Sequence, residues 1–293
     1  MKINPVKTQF VGSTDSVQLS VYKYSTNINT KPDILFSHAT GFHGRCFDPV
    51  ISSLINEHDC TSFDYRGYGD SQLDPDWPLE WQGYGDDALA VARSMQKKII
   101  AVGHSMGGAA LVMAALVAPE LFQALILYEP IIFPTYIRDA TESTREPSPL
   151  VEGARRRRTT FASRDEAFTN YFSKPPMNIF DERSLHAYVD HGFDDAENGV
   201  VLKSRPDHEA RTYEMGAVHK TWDQLNLLRV PTWVVAGVVA PMQPSSWTES
   251  IAKEIQNAKF IQWSDAGHFG PMQQPDRLAQ LVTDVVGITS ANS

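Results

Sequence analysis

The sequence predicts a mostly parallel, doubly wound α/β sheet that is interrupted by one helical insertion. Three observations lead to this prediction. Short apolar runs alternate with helical patterns on both sides of a central gap. One of the apolar runs is followed directly by a sharp turn with a serine and then by a small, apolar helical stretch. After Pro130 the alternation stops, and it resumes only at Pro231. Strands that alternate with helices in this way favour parallel pairing through crossover helices.

The predicted elements of the first half follow one another at short intervals. Alternating apolar and polar residues at 17–22 predict a half-buried, antiparallel strand before a polar turn at 26–31. A more continuously apolar strand at 33–37 ends in a loop that contains a glycine. Asp48 and Pro49 indicate the N-cap and first residue of a helix that runs to about residue 57. After a short strand at 61–63, apolar residues between 81 and 95 recur at helical spacing.

The second half divides the predicted core into two parts. Strands at 99–102 and 124–128 enclose the helix that follows Ser105. From about residue 133 the chain is rich in arginine, proline and scattered aromatic residues, which indicates an inserted helical cap. The core pattern returns with a strand at 231–236, a helix from 245, a strand at 258–263 and a final helix from 275. We therefore predict core segments at 1–132 and 230–293, with the cap at 133–229.

Composition and charge exclude several classes of function. The 293 residues are 42% hydrophobic and 21% charged, which suits one large globular domain with an insertion. A net charge of -9 argues against nucleic acid or an anionic membrane surface as a partner. Only Cys46 and Cys60 are present, so we expect no disulfide and a reducing compartment. With no apolar run of membrane-spanning length and no peroxisomal tripeptide at 291–293, we expect a cytoplasmic protein, and a homodimer is allowed.

The pentapeptide at 103–107, Gly-His-Ser-Met-Gly, is the strongest chemical signal in the chain. A strand, a sharp turn and a helix place Ser105 at the apex of the turn in a strained backbone conformation. Glycines two positions away on either side avoid collisions with the neighbouring strand or helix. The amide of Met106, at the N-terminus of the new helix, can donate to a developing oxyanion. Ser105 is therefore a candidate nucleophile.

A serine nucleophile needs a base, and nine histidines supply the candidates. His268 follows the last apolar strand, where a loop would bring its ring to the same edge of the sheet as Ser105. His38 and His104 also stand at strand ends, and we expect them to shape the neighbouring loops. The histidines of the cap show no spacing that indicates a metal site, and they are His186, His191, His208 and His219.

These motifs resemble those of the α/β-hydrolase superfamily of esterases, dehalogenases and C–C hydrolases. Four segments match in order: the loop at 38–41, the segment at 64–71, the turn around Ser105, and Gly267 with His268. The resemblance implies an α/β-hydrolase fold with Ser105 as nucleophile, His268 as base, and the backbone amides of Met106 and Thr40 as oxyanion donors. Ala39 is a departure, because the family usually has glycine there.

The position of the triad acid departs further from the pattern of the family. Relatives usually carry it at the end of a Gly-x-x-Asp turn, but here residues 237–240 read Gly-Val-Val-Ala. Glu129, one residue beyond the preceding core strand, is the natural substitute, and some members of the superfamily place their acid there. It would accept the Nδ1 proton of His268. The competing acid is Asp265, which lies only three residues from His268. Asp64 and Arg66 are expected to be structural.

The implied reaction is the hydrolysis of a carboxylic ester or lactone through an acyl-enzyme, which needs no cofactor and no metal. A small, largely apolar substrate is expected to contact aromatic residues of the cap and the apolar turn, with candidates Phe133, Tyr136, Phe161, Trp222 and Val239. Hydrolytic C–C cleavage of a diketone, or a non-catalytic ligand-binding role, are the alternatives. The run from Arg155 to Arg158 indicates either an anion-binding site or a solvated helix face.

Overall fold

The computed structural model describes residues 3–25, 31–71, 73–74, 76–144 and 148–291, without the side chains of residues 140–144. Most of the predicted polar turn at 26–31 and of the C-terminal tripeptide at 291–293 lies outside these residues. The strands are β1 Lys7–Gly12, β2 Gln18–Tyr24, β3 Asp33–Ser37, β4 Cys60–Phe63, β5 Ile99–His104, β6 Phe122–Tyr128, β7 Thr160–Phe161, β8 Phe193–Ala196, β9 Gly199–Leu202, β10 Thr232–Ala236 and β11 Lys259–Gln262. The α-helices are α1 Asp48–Leu54, α2 Trp81–Ser94, α3 Met106–Val117, α4 Thr135–Thr144, α5 Pro149–Arg155, α6 Arg164–Phe172, α7 Glu182–Gly192, α8 Pro206–Met215, α9 Ser245–Glu254, α10 Gly270–Gln273 and α11 Pro275–Ala291.

One eight-stranded sheet organises the chain, with the strand order β1-β2-β4-β3-β5-β6-β10-β11. Strand β2 pairs antiparallel with β1 and β4, and the strands from β4 to β11 in this order are parallel. The strands β3, β5 and β6 are buried along almost their whole length, as expected for a parallel sheet with helices on both faces. The predicted fold class, a doubly wound, mostly parallel sheet, is confirmed.

The sheet separates two apolar layers, and this arrangement fixes where the polar loops meet. One layer includes the buried faces of α2 and α3, and the other includes those of α1 and α11. Because β3, β5, β6, β10 and β11 are parallel, the loops after them all emerge at one edge of the sheet. The predicted nucleophile, acid and base, Ser105, Glu129 and His268, follow β5, β6 and β11. They therefore lie at a common edge, although they come from distant parts of the chain.

The segment between β6 and β10 differs from the wholly helical insertion that the sequence predicted. It holds α4 to α8, but also a three-stranded antiparallel sheet in the order β7-β9-β8. These strands have only two to four residues, too few for a period-two pattern to stand out. The dipeptide Asn198-Gly199, whose glycine is the first residue of β9, is a hairpin signal that the composition of the segment obscured. The boundaries 133–229 for the cap stay a prediction.

Two smaller differences concern the ends of elements. Strand β1 was not predicted, because this edge strand leaves Phe10 largely exposed and so lacks a buried apolar face. Helix α1 begins at Asp48, preceded by Phe47 as N-cap, and ends at Leu54 rather than near residue 57. Within the described ranges, no helix has both the length and the apolar character needed to cross a membrane.

Candidate active site

Ser105 occupies a strained turn between β5 and α3. Its backbone has φ 56° and ψ −117°, a conformation that residues with a side chain rarely adopt. The Ser105 N–H donates to the carbonyl of Tyr128 at 2.9 Å, and the Ser105 carbonyl accepts from Ile131 at 3.1 Å. A Cβ at Gly107 would lie 2.5 Å from Ser37 Oγ and 2.6 Å from the carbonyl oxygen of His38. Only glycine at 107 lets α3 approach the end of β3 this closely, and this approach holds the turn in place.

The ring of His268 lies beside this serine. His268 Nε2 is 3.2 Å from Ser105 Oγ. Two bonds hold the loop that carries the ring: His104 Nε2 donates to the His268 carbonyl at 2.8 Å, and the Tyr128 hydroxyl donates to the Gly267 carbonyl at 2.7 Å. Burial and the nearby His268 keep the pKa of His104 well below its usual value, so that His104 stays neutral. The strands β5 and β6 therefore position the loop that follows β11.

Glu129 completes a line of hydrogen bonds with these two residues. Its Oε2 is 2.6 Å from His268 Nδ1, and its side chain is fully buried. Its other oxygen, Oε1, accepts the N–H of Gly237 at 2.7 Å, and the Glu129 N–H donates to the Val235 carbonyl at 2.9 Å. Glu129 also has a positive φ of 42°, a backbone conformation that residues with a side chain rarely adopt. Both carboxylate oxygens therefore have a fixed partner.

These contacts fix the tautomer of His268. An ionised carboxylate only accepts hydrogen bonds, so Nδ1 of His268 must carry the proton that faces Glu129. In the neutral ring Nε2 then has a free lone pair, and this lone pair faces the hydroxyl of Ser105. The arrangement can accept a proton from Ser105 and stabilise the resulting imidazolium. The predicted catalytic roles of the three residues stay predictions, but the three side chains are in contact.

The competing acid occupies different surroundings. Asp265 lies on the surface, where its carboxylate pairs with Arg277 at 2.6 Å and accepts from Gln274 at 3.2 Å. The hydrogen bond from Arg277 lowers the pKa of Asp265. The turn at 237–240 approaches the His268 loop through its backbone, since the Val238 N–H donates to the Ala266 carbonyl at 2.6 Å. This turn therefore supplies a backbone N–H, that of Gly237, to Glu129, and it supplies no carboxylate to His268.

Thr40 lies in a tight turn at the end of β3. The Phe42 N–H donates to the Ala39 carbonyl at 3.1 Å, and Gly41 between them has φ +80°, the value that a type II turn requires at its third residue. His38 braces this turn: its Nδ1 donates to the Ala39 carbonyl at 2.8 Å, and its Nε2 accepts from the Tyr65 N–H at 3.0 Å. Burial lowers the pKa of His38 to about 4, so the ring stays neutral in this role.

The second predicted oxyanion donor, Met106, is the first residue of α3 and is fully buried. A helix has no internal acceptor for its first N–H groups, and their partial positive charge favours an anion. The Met106 amide belongs to this group because the residue four positions before it, Val102, lies in β5. Thr40, in the turn after β3, and Met106, at the start of α3, therefore lie at the edge of the sheet where Ser105 lies, and their role as oxyanion donors stays a prediction.

The predicted substrate contacts are scattered through the chain. Phe161 is buried in the small sheet of the cap, with its ring 5.7 Å from that of Phe193. Phe133 packs on Trp247 with ring centroids 5.1 Å apart, and Trp222 packs against the same apolar layer. The other two are on the surface, Tyr136 with 68% and Val239 with 61% exposure. Three of the five side chains thus take part in internal packing and two are exposed, and the role of all five in binding substrate stays a prediction.

The run from Arg155 to Arg158 is neither a single helix face nor a free basic patch. Arg155 pairs with Glu214 at 2.8 Å and Arg158 pairs with Glu166 at 2.8 Å, both on the surface. Arg157 points inwards and pairs with the buried Glu209 at 2.6 Å. No sequence signal marks this buried pair, because its members are 52 positions apart. Among the described residues, no group of three or more His, Cys, Asp or Glu side chains is arranged to hold a metal ion.

Comparisons with known proteins agree with the fold. The model of a family described as the alpha/beta hydrolase family matches residues 34–281. The 2-(acetamidomethylene)succinate hydrolase of Mesorhizobium japonicum is 28% identical over 115 residues, which are 38% of this chain and only 41% of that protein. The 3-oxoadipate enol-lactonase 1 of Acinetobacter baylyi is 21% identical over 277 residues, which cover 94% of both proteins.

A solved structure extends the likeness to the whole chain. The crystal structure of E-2-(acetamidomethylene)succinate hydrolase superposes with a TM-score of 0.78 at 18% identity, and the match covers 95% of this chain and 98% of that one. At 18% identity the similarity shows the fold alone.

Proposed function

The chain belongs to the alpha/beta hydrolase family, and on this premise we propose that it is a serine hydrolase that cleaves a carboxylic ester or lactone through an acyl-enzyme. The observation that supports this most is the continuous contact from Ser105 through His268 to Glu129, at 3.2 Å and 2.6 Å. A nucleophile, a base and an orienting acid within hydrogen-bond reach are what acyl transfer needs.

The first half of the reaction forms the acyl-enzyme. His268 Nε2 takes the hydroxyl proton of Ser105 as Oγ attacks the carbonyl carbon, and Glu129 stabilises the imidazolium. The carbonyl oxygen becomes an oxyanion and accepts hydrogen bonds from the backbone amides of Met106 and Thr40. The bond to the alcohol then breaks, and the leaving oxygen takes the proton from His268. In a lactone the alcohol stays attached to the acyl group.

The second half repeats these steps with water. His268 removes a proton from water, which attacks the ester carbonyl on Ser105, and the same two amides hold the second oxyanion. Collapse of this intermediate returns the proton to Ser105 Oγ and releases the carboxylic acid. The contact of Glu129 with His268 supports this hydrolase over a non-catalytic binding protein, because the missing carboxylate at Ala240 was the reason for that alternative.

Charge supports an uncharged substrate. Arg157 is a largely covered cation of the cap, and Glu209 already neutralises it at 2.6 Å. A substrate carboxylate at this place would have to displace Glu209 or leave a buried charge without a partner, and both are costly. We therefore propose a small, neutral and largely apolar ester or lactone as the substrate class.

Release of p-nitrophenol from acyl esters of increasing chain length tests the proposal. Wild type is compared with Ser105→Ala, and with Ser246→Ala as a control for an exposed serine outside the site. We expect turnover by wild type and by the control, and its loss in Ser105→Ala. A fluorophosphonate probe should label the same two proteins. Folded wild type that neither turns over any ester nor reacts with the probe would contradict the proposal.

The substrate class has its own comparison. A p-nitrophenyl ester of butyric acid is neutral, whereas the mono-p-nitrophenyl ester of succinic acid has a similar length and carries a carboxylate. We expect kcat/KM to be higher for the neutral ester. A preference for the charged ester would show that the Arg157–Glu209 pair does not set the charge of the substrate.

A further inference from the structure

Two cap residues contact the turn that carries Thr40, and a third cap residue bonds both of them. Arg157 follows α5, Tyr188 lies on α7 and Glu209 lies on α8, and we call these three residues the cap latch. Tyr188 and Glu209 are buried, and Arg157 is largely covered. None of them belongs to the proposed triad. The cap latch therefore brings a positive and a negative charge, both shielded from solvent, to a loop of the core.

The cap latch contacts the turn through a chain of hydrogen bonds that begins at Arg157 and ends at Gly41. Arg157 has no acceptor, so its Nη2 donates to the Tyr188 hydroxyl oxygen. The hydroxyl hydrogen of Tyr188 is then free to go to the Gly41 carbonyl, 3.3 Å away. Burial raises the pKa of Tyr188 well above its usual value, so the phenol keeps the proton that it donates. A chain of donors thus runs from Arg157 through Tyr188 to the backbone of Gly41.

Tyr188 also holds the two residues that follow Gly41. Its ring makes an edge contact with Phe42 at 5.3 Å between centroids, and its carbonyl accepts from His43 Nε2 at 3.1 Å. One cap residue therefore contacts three consecutive residues of the loop, through a hydroxyl, a ring and a carbonyl. Such a set of contacts fixes the orientation of the loop as well as its position.

Glu209 packs against the same turn on a second side. Its Oε1 would lie 2.7 Å from a Cβ at Gly41, so the carboxylate is packed directly against the Cα of that glycine. Its other oxygen holds Arg157 at 2.6 Å. Gly41 therefore needs to be glycine for two reasons, its φ of +80° and the carboxylate that occupies the space of a side chain. The turn has little room to rotate while Glu209 is in place.

We propose that the cap latch positions the Thr40 amide for the oxyanion, so that Tyr188, Arg157 and Glu209 are positioning residues for catalysis. The inference rests on the proposed function, because it concerns the oxyanion of that reaction. The Gly41 carbonyl that Tyr188 holds shares a peptide with the Phe42 N–H, and this N–H donates to the Ala39 carbonyl at 3.1 Å. The Ala39 carbonyl shares a peptide with the Thr40 N–H, so holding one end of the turn orients the amide at the other. An oxyanion exists only in the transition state and the intermediates. A loosened turn should therefore lower kcat and leave KM nearly unchanged.

Tyr188→Phe is the main test, since it removes the hydroxyl and keeps the ring that packs on Phe42. We expect kcat to fall about tenfold or more and KM to stay within about twofold. This loss of kcat is smaller than the loss of about 10²–10³-fold that removal of a whole oxyanion donor causes. Affinity for a boronic acid that forms a tetrahedral adduct with Ser105 should fall in parallel. Tyr24→Phe is the matched control: it removes a buried tyrosine hydroxyl that bonds Asp48 at 2.6 Å, outside the cap latch, and leaves the Tyr188–Gly41 contact in place.

The outcomes separate this inference from the proposed function. Wild type without esterase activity and without fluorophosphonate labelling would remove the proposed function itself. Active wild type with an unchanged kcat in Tyr188→Phe would overturn the cap latch alone. A rise in KM that accounts for the loss, or an equal loss in Tyr24→Phe, would also overturn it, because the Tyr188 hydroxyl would then bind substrate or support the fold in general. If Tyr188→Phe does not fold, Arg157→Lys tests the same chain, and it should show the same loss of kcat.

Discussion

Replacing Glu129 by glutamine tests the site most directly, because the structure decides how the new amide must lie. The carboxylate has two fixed neighbours, the Gly237 N–H at Oε1 and the His268 Nδ1 at Oε2. An amide has one oxygen and one NH₂. The backbone N–H of Gly237 can only donate, so the amide oxygen must face it, and the NH₂ group must face His268.

This orientation changes the tautomer of His268. Facing an NH₂ donor, Nδ1 becomes an acceptor and the ring proton moves to Nε2, where it faces Ser105 Oγ and blocks proton transfer. The opposite orientation would set the amide NH₂ against the Gly237 N–H, and a buried donor without an acceptor costs about 1–3 kcal/mol. The wrong tautomer is therefore the favoured one, and we expect kcat to fall about 10⁴-fold, as in related triads with this change. That factor corresponds to about 5.4 kcal/mol of activation free energy.

The assay is steady-state hydrolysis of the best p-nitrophenyl ester, with the thermal unfolding midpoint as a check that the fold is intact. Asp265→Asn is the matched control, because it neutralises the other acid near His268, which is exposed and pairs with Arg277. It should keep kcat within about twofold. A Glu129→Gln protein with kcat within tenfold of wild type, or an Asp265→Asn protein that loses activity instead, would refute the reasoning.

Two further predictions concern stability. Arg66 and Asp87 form a fully buried, two-point ion pair at 2.7 and 2.9 Å, so Asp87→Asn should lower the free energy of unfolding in urea by about 3–5 kcal/mol. Glu249→Gln, which breaks an exposed pair, should change it by less than about 1 kcal/mol, and equal losses would contradict this prediction. Burial lowers the pKa of His208 to about 4, so between pH 6.5 and 4 the unfolded chain binds a proton there that the folded chain does not, and stability falls as the pH falls. The slope of unfolding free energy against pH in that window should be smaller in His208→Gln than in wild type, by about 1.4 kcal/mol per pH unit; identical slopes would contradict it.

The line of contacts from Ser105 through His268 to Glu129 was predictable because it depends on strand ends. Ser105, Glu129 and His268 each follow a parallel strand, and parallel strands deliver such residues to one edge whatever their separation in the chain. The choice of Glu129 over Asp265 came from the same reasoning. What the sequence could not supply was the backbone donor of Gly237, because nothing in an apolar turn marks one amide as a partner of a distant carboxylate.

The cap was harder to predict for a physical reason. Its contacts join residues without periodic spacing, such as Arg157 and Glu209, and its strands are too short to leave a pattern. The core was predicted because burial on two faces of a sheet forces long apolar runs. In the cap, single side chains such as Tyr188 make the contact with the core turn, and one residue leaves no pattern in a sequence.

The register of β6 and β10 has a consequence for how this family can vary. Tyr128 and Val235 are direct partners, so residues just beyond the two strands reach the same imidazole from neighbouring positions. An acid can therefore move from one strand end to the other during evolution while the nucleophile and the base keep their places. With Glu129 as the proposed acid, the chain from Val238 to Pro244 need supply no carboxylate, and it keeps a backbone contact with the His268 loop. We therefore expect this segment to tolerate substitutions and insertions better than the residues around Ser105 and His268.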